Sequence, residues 1–132
     1  MTLIERMQEL LEAERAGLVC FEQMAFFASH KEVNHFFMSA RNNAAVFCEG
    51  LHSLIMQRKA SPTNAVGALS EKVMALETEK ERIELIAKAI EWLLGRIDGL
   101  PQDELSEDEI GFFTRMRSAY GDSLEILNSY KA

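Results

Sequence analysis

A Ser or Thr followed three residues later by Glu occurs four times in this chain, at Thr2/Glu5, Ser29/Glu32, Thr78/Glu81 and Ser106/Glu109. In that spacing the hydroxyl accepts from the backbone N–H at the third helical position, and the carboxylate accepts from the N–H of the cap residue. Two donors that a helix start leaves free are thereby satisfied. Each pair heads a run of apolar residues at helical spacing. A chain that starts four helices and has no stretch alternating with period two is restricted to an all-α fold.

The apolar stripes set the approximate extents. The first run covers about residues 2–28, with Leu3, Met7, Leu10, Leu18, Phe21 and Ala25 on one face. The second covers about 30–58, through Val33, Phe36, Phe37, Ala40, Ala44, Phe47, Leu51, Leu54 and Ile55. The third covers about 79–98, from Ile83 to Ile97, and stops at Gly99-Leu100-Pro101. The fourth covers about 107–130, with Phe112, Phe113, Met116, Tyr120, Leu127 and Tyr130. Amphipathic helices of this length bury their stripes against one another, which predicts a four-helix bundle in one domain over 1–132.

Residues 59–77 separate the second and third helices. Ser61-Pro62 offers a cap and a first-turn proline, and Val66, Leu69, Val73 and Leu76 give a short amphipathic stretch. If residues 65–98 formed one helix, the bundle would run up-down-up-down. If Thr78 starts a new helix, 59–77 can run the length of the bundle as a crossover. The Thr78/Glu81 pair favours the crossover.

Charge and composition narrow the function. A formal net charge of −7 leaves no basic face for nucleic acid or anionic lipid. The N-terminal Thr2-Leu3-Ile4-Glu5-Arg6 is amphipathic rather than a targeting segment, and no uncharged run is long enough to span a bilayer. Cys20 and Cys48 match no metal or redox spacing and read as reduced packing residues of a cytoplasmic protein.

The segment Leu10-Leu11-Glu12-Ala13-Glu14-Arg15-Ala16-Gly17 resembles the opening helix of small bacterial ferritin-like proteins of unknown function. The order Gly67-Ala68-Leu69, Lys72, Met74-Ala75-Leu76, Arg82-Ile83, Trp92 and Leu100-Pro101 is similar as well. The resemblance covers most of the chain. It implies a ferritin-like bundle with the crossover, and it brings no established activity.

A ferritin-like di-iron site takes one Glu from each of two helices and a Glu-x-x-His from each of the other two, because residues three apart share a helix face. Glu14 fits the first role, lying between Leu10 and Leu18 in an apolar stripe where a charge needs a partner. Glu49-Gly50-Leu51-His52 supplies Glu49 and His52 at the required spacing, and Glu79, Glu81 or Glu84 could serve from the third helix, Glu79 being best aligned. Against a complete set, the fourth helix has no histidine. Tyr120, Asp122, Ser123 and Glu125 are its nearest candidates, and Tyr120 stands where the resembled family more often carries a His-containing motif. Glu49 also points away from the apolar stripe of its helix. The competing reading makes Glu14 a buried carboxylate paired with Arg82, Lys80 or Arg117, or hydrogen-bonded to Tyr120.

A second apolar face completes the picture. Ala13, Ala16, Cys20 and Phe27 lie on the far side of the first helix, Met38, Ala45 and Met56 on the second, and Leu85 and Trp92 on the third. Such a surplus is expected at a homodimer interface through the first two helices. The sequence therefore predicts a metal-free structural or binding module, not an enzyme, with room for a small apolar ligand between helices. The alternative is a metal-binding protein or oxidoreductase holding iron or manganese through Glu14, Glu49, His52 and Glu79.

Overall fold

The computed structural model describes residues 1–130. Helices α1 (Leu3–Phe26), α2 (Lys31–Gln57), α3 (Leu69–Met74), α4 (Glu79–Asp98) and α5 (Glu107–Tyr130) follow in order, with a 3₁₀ turn at Gln102–Glu104 before α5. The four long helices fall within a few residues of their apolar runs, and among the described residues there is no strand.

The capping pairs start three of the four. Thr2 and Glu5 exchange bonds of 3.1 and 2.9 Å, and Thr78 and Glu81 exchange bonds of 3.1 and 3.2 Å. Ser106 and Glu109 do the same at 3.2 and 2.8 Å. The Ser29/Glu32 pair does not form. The cap of α2 is His30, with no side-chain bond, so Ser29 lies one residue too early. Its N–H and hydroxyl both donate to the Glu79 carboxylate, at 2.9 and 2.7 Å, which joins the α1–α2 turn to the first turn of α4.

The crossover is drawn by its hydrogen bonds. The Gln8 amide donates to the Ser61 carbonyl and accepts from the Thr63 N–H, both at 2.8 Å. Gly67 N–H donates to the Glu12 carbonyl at 3.2 Å, and Ser70 donates to Gln23 at 2.6 Å. Residues 61–70 thus run alongside α1 from its first turns toward its last. Gln8 holds the backbone around Pro62 extended, so the Ser61-Pro62 helix start expected from sequence is not made; helix resumes only at Leu69. Helix α4 then runs back antiparallel to α1, its last turn fixed by an Arg96–Glu9 ion pair at 3.1 Å. Helices α2 and α4 are therefore parallel and linked by the crossover, which decides between the two topologies.

Two backbone details matter for packing. Helix α2 ends in a Schellman motif in which Lys59 N–H donates to Met56 and Ala60 N–H to Ile55. Lys59 takes the left-handed conformation, φ 61°, usually given to glycine. Midway along the second half of α2, Gly50 sits against the Phe112 ring of α5. A Cβ there would lie 2.2 Å from the ring, so only glycine admits the contact.

The core is formed by the expected stripes, including Met7, Leu10, Phe37, Leu51, Ile86, Met116 and Leu127. The second apolar face divides. Ala16 and Cys20 are buried within the chain, Ala16 against Gly67 of the crossover. Phe27, Met38, Met56 and Trp92 are exposed, together with Val19, Phe26 and Val46.

Candidate ligand-binding cavity

Glu14 lies on the inward face of α1, three residues from Leu11 and Gly17, all three buried. The helical period that buries its neighbours buries it too, leaving 1% of its surface exposed. Its partner is Tyr120 of α5, whose hydroxyl donates to Glu14 Oε2 at 2.7 Å. Of the basic candidates, Arg82 bonds the Leu76 and Met74 carbonyls, Arg117 pairs with Asp98, and Lys80 is exposed on the first turn of α4. The other carboxyl oxygen, Oε1, is buried and has no hydrogen-bond partner among the described residues.

Burial makes the charged form expensive. It pushes the Glu14 carboxyl up to about 8, the Tyr120 bond offsetting only part of the effect. Tyr120 is held well above its ordinary range by the same burial and by Glu14. Cys48 of α2 faces the pair, and burial, then Glu14, pushes its thiol up to about 11. At neutral pH the group is thus a neutral carboxyl, a phenol and a thiol. With Tyr120 donating to Oε2, the carboxyl proton belongs on Oε1, a donor with nothing to receive it.

Glu14 and Tyr120 line a cavity of about 460 Å³ between α1, the crossover with α3, and α4. Ala13, Ala16 and Gly17 line it from α1, and Leu85, Ile90 and Trp92 from α4. Of the second apolar face, Ala13, Ala16, Leu85 and Trp92 border this cavity, and Cys20 and Phe27 do not. Charged residues stand at its edge. Glu9 is paired with Arg96, which also lies 5.3 Å over the Trp92 ring, and Glu12 accepts from Thr63 at 3.4 Å. Lys72 and Lys88 line the same cavity, and their side chains make no hydrogen bond or ion pair among the described residues.

The other metal candidates are placed apart. Glu49 and His52 are exposed on α2, flanking the Gly50 contact with Phe112. Glu79 is at the end of the bundle, holding Ser29. Among the described residues no three His, Cys, Asp or Glu side chains come together in a group that could hold a metal ion. Both cysteines are free thiols. No helix is long and apolar enough to cross a membrane.

Sequence reasoning singled out Glu14 and named Tyr120 among its possible partners. It named Lys72 only within the resemblance and did not single out Lys88, because exposed lysines on a helix read as an ordinary solvated face. Trp92 was visible as a surplus apolar residue and within the resemblance, not as a cavity wall.

No curated protein matches the chain. A crystal structure described as "ferritin like, diiron-carboxylate proteins from Bacillus anthracis str. Ames" superposes with a TM-score of 0.82, covering 98% of this chain and 95% of that one at 16% identity. Likeness at that identity shows the fold, a ferritin-like bundle, and leaves the chemistry to this chain's own residues. Residues 2–115 match a domain of unknown function, DUF6306, and the chain belongs to that family.

Proposed function

We propose that this protein is a binding module for a small, largely apolar molecule, taken into the cavity between α1, the crossover and α4 and anchored by Glu14. The observation that carries this reading is the buried, unpartnered Oε1 of Glu14. A polar atom removed from water costs about 1–3 kcal/mol when nothing bonds to it, and a ligand hydroxyl or carbonyl would remove that cost. The volume falls in the roughly 300–1,000 Å³ range of small-molecule sites, and an apolar lining with one convergent polar group is how such sites fix orientation.

The residues do not fit the di-iron centre named for the similar solved structure. Glu14 shares its surroundings with a phenol and a thiol rather than with further carboxylates and imidazoles. The sequence's Glu-x-x-His lies on the exposed face of α2.

Trp92, the single tryptophan, lines the cavity and reports on it directly. Titration with 1-octanol, followed by Trp92 fluorescence and calorimetry, should show saturable binding, weakened about tenfold by Glu14→Leu, the loss of roughly one hydrogen bond. Absence of binding, or equal binding by both proteins, would count against the cavity as a site. Stoichiometric iron or manganese in protein purified without chelator, lost in Glu14→Leu, would replace this reading with a metal-binding one.

A further inference from the structure

We infer that the natural ligand is an elongated apolar acid, its anionic head held by Lys72 and Lys88 and its far end bearing a hydroxyl or carbonyl that meets Glu14. This rests on the binding-module reading and specifies the ligand's chemical class.

Four charged residues line the cavity besides Glu14, two acidic and two basic. Glu9 is paired with Arg96, whereas Glu12 accepts only from the uncharged Thr63 hydroxyl and keeps its negative charge. The two lysine side chains are unpaired among the described residues. In a chain of net charge −7, two unpaired lysines outweigh Glu12, and the balance of unpaired charge at this cavity is positive. An ammonium group on a flexible stem supplies three donors and can follow a head group at the water's edge. Lys72 comes from α3 and Lys88 from α4, so the two approach from different elements. A single anion could bridge them.

The rest of the lining sets the body of the ligand. Ala13, Ala16 and Gly17 present a smooth wall of small residues on α1. Leu85, Ile90 and Trp92 oppose them with aliphatic and aromatic surface. No polar side chain other than Glu14 and Tyr120 reaches the space from the helix interiors. A chain or ring that carries its polar groups at its ends and none in its middle suits a lining that is mostly apolar with few polar groups. An amine-headed ligand does not, since it would meet two free ammonium groups at the edge.

Four probes of equal chain length separate the possibilities: 8-hydroxyoctanoate, octanoate, 1-octanol and octylammonium, each titrated by Trp92 fluorescence and calorimetry at low and high salt. The hydroxy acid should bind about tenfold more tightly than 1-octanol, lose that advantage at high salt, and lose it in the Lys72→Gln/Lys88→Gln double variant. Octanoate should fall below the hydroxy acid by a similar factor and be insensitive to Glu14→Leu. Because both lysines are exposed, the double variant should fold normally, which circular dichroism checks. If 1-octanol binds as tightly as the hydroxy acid and the lysine changes do nothing, the acid assignment fails while the cavity reading stands. Tightest binding by octylammonium also overturns the assignment. If none of the four binds, both fall.

Discussion

A carboxyl with an ordinary value of 4.5 that is pushed up to about 8 makes folding release its preference for charge. Between those two pH values the unfolded chain has lost the proton and the folded one keeps it, so stability falls as pH rises, by about 1.4 kcal/mol per unit. Across the window this amounts to something on the order of 4–5 kcal/mol. Tyr120 and Cys48, which face Glu14 from α5 and α2, stay protonated over the same range and add no compensating change. Glu14→Gln keeps the shape and the bond from Tyr120 but cannot ionise. Urea unfolding should give matching stabilities for both proteins near pH 4 and a variant more stable by a few kcal/mol near pH 8. Parallel curves would mean that Glu14 is ionised in the folded protein.

At the scale of elements, one close approach decides how α2 and α5 sit. Gly50 lets the Phe112 ring onto the α2 backbone, and Phe112 in turn packs edge-on against Phe47 at 5.9 Å. Gly50→Ala should destabilise by roughly 1–3 kcal/mol or more through overpacking. Gly121→Ala in α5, with nothing within 4 Å of the new methyl, should stabilise by about 0.5–1 kcal/mol. Thermal melting of the two variants distinguishes a packing role from simple helix propensity. Here the limits of sequence also become concrete. Thr2/Glu5, Thr78/Glu81 and Ser106/Glu109 were legible because both partners lie within one helical turn. Ser29 was misread because its partner, Glu79, lies 50 residues away. Glu14 was legible as a charge out of place in an apolar stripe. The role of Gly50 was hidden inside a motif that reads as metal-binding, since nothing local announces a distant phenylalanine.

Over the whole molecule, two helical hairpins are pinned at one end by Arg58 and Glu109. The guanidinium donates through Nε and Nη2 to both Glu109 oxygens, at 2.6 Å each, and through Nη2 to the Glu104 carbonyl at 2.9 Å. Glu109 is buried and also serves the α5 cap, so Arg58 holds its carboxyl below the usual range. That contribution is present above pH 4.5 and is lost as pH falls through the depressed value. Arg58→Met should cost about 3 kcal/mol at neutral pH, because it strands a buried carboxylate, and the deficit should shrink in acid. An equal deficit at all pH values would indicate lost packing instead of lost charge pairing.

The crossover gives this bundle one wall unlike the others. From Ala60 to Gly67 the backbone makes no helix of its own and is held to α1 by the side chain of Gln8 and the carbonyl of Glu12. A few bonds at the surface can open at a small fraction of the free energy needed to unfold a helix. Amides of the crossover should therefore exchange with solvent well before those of α1 or α4, and more slowly once the cavity is filled. Those few tethers make the crossover the part of the fold that can lift first while the four long helices stay assembled.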